Sequence, residues 1–142
     1  MSRKLSRLIT VIGFAGVGKT ALIRKAIYYV HERGLVKGGT IYVNANHIVS
    51  SESFIGILVD QIIQSHSFGE PARDADRSSF DILNLILTKI CFLNEPVIFV
   101  FDNIEDLIVN HYQHLKSIIS TVLLRVPKSK VLLVSRVRFN SI

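Results

Sequence analysis

The chain has 142 residues, of which 49% are hydrophobic and 20% are charged, so it can fold as one domain, over residues 1–142, around its own core. Its formal net charge is +6, and Cys91 is the only cysteine, which excludes an internal disulfide and favours a reducing compartment such as the cytoplasm. No run of about 18 apolar residues occurs, so we expect no membrane span.

The first predicted strand, Leu8–Gly13, leads into a glycine-rich segment that matches the pattern G-x-x-x-x-G-K-T. Glycines in this pattern let backbone N–H groups approach phosphate oxygens, and the following helix N-terminus adds unpaired donors and partial positive charge. The lysine reaches the β- and γ-phosphates, and the threonine hydroxyl binds Mg²⁺. The predicted nucleotide-binding residues are Gly13, Phe14, Ala15, Gly16, Val17, Gly18, Lys19, Thr20 and Ala21, with Thr20 also a predicted metal ligand.

Helical spacing of apolar residues predicts a helix from Gly18 to about Arg33 and a second one that starts at a cap, Ser50 or Ser51, and ends near Ser65. A short strand, Thr40–Asn44, lies between them. The predicted inward face of the first helix is Ala21, Leu22, Ala26, Ile27 and Val30. That of the second helix is Phe54, Ile55, Leu58, Val59, Ile62 and Ile63.

The second half continues the alternation after one long irregular connection, Ser67–Ser78. The predicted elements are a helix over Ser79–Leu93, an apolar strand over Val97–Phe101 that Asp102 ends, a helix over about His111–Val126, and a strand over Val131–Val134. Strands that alternate with helices predict an α/β fold, namely a three-layer P-loop NTPase core with a mainly parallel sheet that stops after the fourth predicted strand.

Ligands of parallel sheets bind at the carboxyl ends of the strands, where the glycine-rich loop, Asp102 and Arg136 are all predicted to lie. Asp102 can hold Mg²⁺ opposite the threonine of the loop, and the alternative is an aspartate that merely begins a turn. Many hydrolysing P-loop proteins carry a second acid next to this aspartate, but Asn103 stands here. Glu105 or Asp106 could take that role, or could simply suit the first turn of a helix.

Arg136 directly follows the last predicted strand, where a guanidinium can contact a γ-phosphate and respond to its loss. The alternative is a solvated arginine, because Lys128, Lys130 and Arg138 lie nearby. Lys19 and Arg136 are therefore the candidate catalytic residues.

Four segments together resemble the nucleotide-binding core of the NB-ARC type of STAND signalling ATPases. The resemblance implies an ATP/ADP switch that controls self-association or protein partners through neighbouring domains, with Mg²⁺ as the metal. It also implies that Arg136 senses the nucleotide, while Asn103 departs from the second aspartate common in the family. The segments are Val11–Thr20, Gly39–Asn44, Val97–Asn103 and Lys130–Arg136.

The predicted function is therefore an ATP- or ADP-binding module of a signalling switch, with slow or absent hydrolysis. The alternatives are an active P-loop ATPase of another class, or a basic P-loop protein that acts on nucleic acid. Residues 1–37 carry eight Lys/Arg and one acid, and residues 111–142 carry six and none, so the two ends are basic. No zinc-finger spacing or RNP-type aromatic motif accompanies this charge, so nucleic acid is not the expected partner.

Overall fold

The computed structural model describes residues 7–13, 18–69 and 77–139. These residues form one sheet with the strand order β1-β4-β3-β2, in which every neighbouring pair is parallel. The predicted α/β class is confirmed. The strands are β1 Leu8–Ile12, β2 Thr40–Asn44, β3 Val97–Asp102 and β4 Ser129–Ser135, and the helices are α1 Lys19–Glu32, α2 Ser51–His66, α3 Ser79–Leu93, α4 Glu105–Asn110 and α5 Tyr112–Arg125.

The register of the sheet brings all four strand ends to one edge. Asp102 of β3 lies opposite Asn44 of β2 on one side and Val134 of β4 on the other. Ile12 of β1 lies opposite Ser135, and the amide of Gly13 donates to the Ser135 carbonyl at 3.2 Å. The chain therefore leaves β1, β3 and β4 at the same edge of the sheet, as parallel strands require.

The larger part of the core lies between the sheet and α2, α3 and α5. Alternate residues of β3 face it, because successive side chains of a strand point to opposite faces. The rings of Phe54 and Phe101 meet edge to face with their centroids 5.0 Å apart. The predicted inward face of α2 is confirmed, since Phe54, Ile55, Leu58, Val59 and Ile62 are buried and Ile63 packs against them.

The opposite face of the sheet is covered by α1, whose predicted inward face was right at Ile27 and wrong at Leu22. Ile23 is the buried residue of α1 and packs with Ile27 against Val100 and Val134, whereas Leu22 is 63% exposed. The segment carries two apolar stripes about one residue apart, so its spacing alone does not say which stripe turns inward. Ala21 and Ala26 are likewise exposed, and Val30 is half-buried.

Two further differences concern element ends. The chain forms a short helix, α4, that we did not predict as a separate element before α5. Glu105 and Asp106 lie in its first turn, where acids suit the helix dipole, which was one of the two interpretations of these residues. β4 begins at Ser129, two residues earlier than predicted, because Ser129 and Lys130 still pair with β3. The guanidinium of Arg7 donates to the Ser129 carbonyl at 3.0 Å and to the Leu123 and Val126 carbonyls at the end of α5. Within the described residues, no helix combines the length and apolar character that a membrane crossing needs.

Candidate functional site

The glycine-rich loop ends in a conformation that only glycine adopts easily. Gly18 has φ 80°, in the left-handed region, and α1 begins at the next residue without a side-chain cap. The first N–H groups of α1 therefore remain available to an anion. Lys19 Nζ donates to the carbonyl of Gly13, so the ammonium lies across the start of the loop. Phe14, Ala15, Gly16 and Val17 lie outside the described residues.

Asp102 lies on the α1 side of the sheet and is 3% exposed. We expected this carboxylate to be exposed at the end of its strand. It is buried because β3 has a neighbouring strand on each side and because α1 covers the last side chains of β3. Its Oδ2 accepts hydrogen bonds from the Thr20 hydroxyl at 3.3 Å and from the Tyr42 hydroxyl. The predicted pair of metal ligands, Thr20 and Asp102, is thus in direct contact.

Tyr42 is a member of this site that the sequence did not single out. Its ring lies on β2, half-buried under α1, and its hydroxyl meets the carboxylate of Asp102. Burial is the main reason why the pKa of Tyr42 rises from 10.0 to about 12, and the hydrogen bond and negative charge of Asp102 add to the effect. The hydroxyl therefore keeps its proton at neutral pH and donates it to the carboxylate.

Asn103 occupies the position beside Asp102 where many hydrolysing relatives of P-loop proteins carry an acid. Its backbone is left-handed, with φ 58°, and its amide N–H donates to the Val134 carbonyl at 3.0 Å. Its side-chain Nδ2 donates to Asn44 Oδ1 at 2.9 Å, which also accepts the backbone N–H of Asn46. The side chain is thus engaged in an amide network and carries no group that can take a proton from water.

Arg136 leaves β4 at the same edge, and Glu105 anchors its backbone. Glu105 Oε1 accepts the Arg136 amide N–H at 2.8 Å and lies 3.7 Å from the guanidinium Nε. The Arg136 side chain is 57% exposed and that of Glu105 is 16% exposed, so the guanidinium is solvated while its backbone is held. Of the two acids considered from sequence, Glu105 faces the cleft and Asp106 is exposed outside its lining.

These groups line one cleft of about 380 Å³ at the carboxyl edge of the sheet. A larger hollow of about 470 Å³ lies between α1 and β2, but its lining contains none of the loop residues, Asp102 or Arg136. We therefore place the candidate site in the smaller cleft, which holds the phosphate- and metal-binding side chains. The sequence missed Asn46, which reaches the cleft from the turn after β2. The described lining is Gly18, Lys19, Thr20, Ala21, Asn46, Asp102, Asn103, Glu105 and Arg136.

The donor chemistry of the cleft fits a magnesium nucleotide. The Thr20 hydroxyl and Asp102 carboxylate are hard oxygen ligands, and Mg²⁺ usually takes one or two such protein ligands together with phosphates and water. Lys19 and Arg136 supply positive charge to the same cleft. A polyphosphate can therefore be neutralised by the two cationic side chains together with the metal.

No protein-family model matches the sequence, and no curated protein does so either. Solved structures do match by shape. The chain is similar to Cdc6p of Pyrobaculum aerophilum, with 16% identity and a TM-score of 0.66 over 92% of this chain and 32% of that one. It is similar to Aeropyrum pernix ORC2 solved with ADPNP and ADP, with 21% identity and a TM-score of 0.66 over 92% of this chain and 35% of that one.

The chain is also similar to the Drosophila ORC structure bound to DNA, with 21% identity and a TM-score of 0.69 over 96% of this chain and 34% of that one. It spans about one third of the length of each of these structures. The P-loop NTPase fold implied by the sequence is confirmed, but these neighbours are Cdc6 and ORC proteins, so they show nothing specific to the NB-ARC type. The chain therefore has the P-loop NTPase fold, which it shares with these Cdc6 and ORC structures.

Proposed function

We propose that this chain is the magnesium-nucleotide-binding module of a P-loop ATPase, that it binds ATP or ADP, and that it hydrolyses ATP slowly or not at all. The observation that carries the proposal is the meeting of Lys19, Thr20 and Asp102 in one cleft at the end of three parallel strands. Lys19 and Asp102 are 83 positions apart in sequence, yet they line the same cleft. A glycine-rich turn that occurred by chance would not place its threonine against a buried carboxylate at the end of another strand.

Each of these residues has a distinct part in holding the nucleotide. Bound Mg²⁺ would supply the charge that offsets the phosphates, and Thr20 and Asp102 would hold it. Lys19, which now donates to the Gly13 carbonyl, can turn its ammonium toward a phosphate oxygen and exchange a neutral acceptor for a charged one. The first N–H groups of α1, which have no partner within the helix itself, supply further donors.

Slow turnover is supported by the groups next to Asp102. Hydrolysis needs a residue that orients or deprotonates water near the γ-phosphate, and Asn103 is an amide held by Asn44. Glu105 is the nearer acid, but it is engaged with the backbone and side chain of Arg136. We expect purified protein to release phosphate from ATP far more slowly than the 1–100 s⁻¹ typical of kinases.

Slow turnover would suit a switch, in which the bound nucleotide sets the contacts of the chain with itself or with protein partners. A STAND-type signalling role is the finer form of this proposal and rests on the resemblance of four segments alone. The neighbours add support only for the coarser form, since A. pernix ORC2 was solved both with ADPNP and ADP and in an ADP form.

The proposal is tested by titrating ATP and ADP, with Mg²⁺ present, into wild type and Lys19→Ala in a calorimeter. Charge-assisted hydrogen bonds are worth roughly 1.5–3 kcal/mol, so the variant should bind both nucleotides at least about tenfold more weakly. Lys25→Ala is the matched control, because Lys25 lies exposed on the same helix away from the cleft. Equal affinities in wild type and Lys19→Ala would reject the site.

A second candidate is a nucleic-acid-associated ATPase, and one observation favours it. The exposed side of α1 combines Arg24, Lys25 and Arg33 with Tyr29, and the Arg33 guanidinium lies 4.5 Å from the Tyr29 ring centroid. The Drosophila ORC neighbour is bound to DNA. Duplex DNA binding should then weaken with added salt and weaken further in Lys25→Glu; fluorescence anisotropy that shows no salt-dependent binding would reject this candidate.

A further inference from the structure

We propose that Tyr42 is a positioning residue of the metal site, whose hydroxyl holds the Asp102 carboxylate in the orientation that faces Thr20 and thereby sets the Mg²⁺ affinity. This inference rests on the proposed function, because it concerns how the nucleotide's metal is held. It assigns a role to a side chain on β2, which is separated from Asp102 by a strand-to-strand contact and by 60 positions in sequence.

The register of β2 and β3 explains how Tyr42 reaches the site. Tyr42 pairs with Val100, and Asn44 pairs with Asp102, so Tyr42 and Asp102 are diagonal neighbours on the same face of the sheet. A side chain as long as tyrosine spans that diagonal along the strand direction, whereas a short one would stop beneath α1. The phenol ring packs among apolar residues of this face, and only the hydroxyl reaches the carboxylate.

The carboxylate is held at one oxygen by donors from two different elements. Thr20 approaches Oδ2 from the first turn of α1, and Tyr42 approaches the same oxygen from β2. Two donors from rigid, separate elements restrict rotation of the carboxylate more than either does alone. Because Asp102 is buried, these hydrogen bonds also offset the cost of keeping its charge out of water.

A threonine that binds a metal must use its hydroxyl oxygen for the metal while its proton still points to Asp102. The Tyr42 bond fixes the acceptor for that proton before any metal arrives, so less ordering is left for the binding step. Groups that orient metal ligands from behind typically contribute 10–100-fold to metal affinity.

The test is Tyr42→Phe, which removes the hydroxyl and keeps the ring. Tyr28→Phe is the matched control: Tyr28 lines the same hollow between α1 and β2, is 67% exposed, and has no hydrogen bond to any described residue. ATP affinity is measured by calorimetry without metal in EDTA, and then at rising Mg²⁺ concentration. The Mg²⁺ midpoint should rise about 10–100-fold in Tyr42→Phe and stay unchanged in Tyr28→Phe, while metal-free ATP affinity is alike in all three proteins.

A wild-type measurement keeps the inference testable if Tyr42→Phe folds poorly. Mg²⁺ added to the ATP-loaded protein should perturb the tyrosine near-ultraviolet difference spectrum, because the metal draws electron density from the carboxylate that Tyr42 contacts. The same change should appear in Tyr28→Phe. An unchanged spectrum, or equal Mg²⁺ midpoints in both variants, would overturn the role of Tyr42 while ATP binding itself stands. If the wild-type protein does not bind ATP, the proposed function itself is rejected.

Discussion

The two faces of the sheet differ in what covers them. On one face, α2, α3 and α5 bury a continuous apolar cluster that includes Phe54, Phe99 and Phe101. On the other, α1 packs a much smaller cluster built on Ile23, Val100 and Val134. The same strands supply both faces by alternation, so β3 sends phenylalanines to one side and Asp102 to the other.

The two faces therefore have different roles, one in the stability of the fold and the other in the chemistry of the site. The face covered by α2, α3 and α5, here called the thick face, removes most of the apolar surface from water, which is the main favourable contribution to folding. The face covered by α1, here called the thin face, leaves room at the strand ends for polar groups such as Asp102 and Tyr42. An apolar layer could not supply the hydrogen bonds that these groups need. A binding site can therefore change its hydrogen bonds there without disturbing the packing that holds the fold.

The largest expected effect is on stability, from truncation within the thick face. Leu87 is fully buried on α3, so Leu87→Ala should lower the free energy of unfolding by about 2–5 kcal/mol. Leu22→Ala on the exposed side of α1 is the matched control and should change it by no more than about 0.5 kcal/mol. Urea denaturation measures both. Similar losses in the two variants would mean that α1 buries Leu22 after all.

A smaller effect is expected at the chemical edge, from Arg136→Ala. A γ-phosphate adds charge that ADP lacks, so the variant should weaken ATP binding more than ADP binding by about 1–3 kcal/mol. Lysine should not restore the difference fully, because it lacks the planar fork of arginine. Paired ATP and ADP titrations on each variant measure the effect.

Arg138 supplies the control, since it is exposed and lies beyond the end of β4. Arg138→Ala should leave the ratio of ATP to ADP affinity as it is in wild type. If Arg136→Ala lowers both affinities equally, or neither, then Arg136 belongs to the basic surface and does not sense the γ-phosphate.

The smallest expected effect is a pH dependence from Tyr42 on the thin face. Its pKa is raised from 10.0 to about 12 in the folded chain, so the folded state favours the protonated phenol. The resulting stability is fully present below pH 10 and is lost as the pH rises toward 12. Urea denaturation should show that wild type loses more stability over this window than Tyr42→Phe; parallel losses would contradict the shift.

Much of the fold was predictable because its information is local. The apolar run Val97–Phe101, the serine cap of α2 and the helical spacing of α3 each sufficed to place an element. That Thr20 and Asp102 lie together was predictable, since parallel strands end at a common edge. These inferences needed only the order of elements and the chemistry of single residues.

The rest depends on tertiary packing that no local pattern contains. The contact of Tyr42 with Asp102 requires the register between β2 and β3, and the burial of Asp102 requires knowing that β3 is an inner strand. The rotation of α1 that buries Ile23 and exposes Leu22 is visible only in the packing of Ile23 against Val100 and Val134 of the sheet. The link between Glu105 and Arg136 depends on the turn into α4.

The most direct test of the central claim is the Mg²⁺ dependence of ATP binding in Asp102→Asn. Asparagine keeps the volume of this buried side chain and an acceptor oxygen, so the fold should survive, but it removes the charge that holds Mg²⁺. Calorimetric titration should show Mg²⁺-strengthened ATP binding in wild type and equal affinity with Mg²⁺ or EDTA in the variant. If Mg²⁺ strengthens ATP binding to Asp102→Asn as much as to wild type, Asp102 is structural and this cleft is not the metal site.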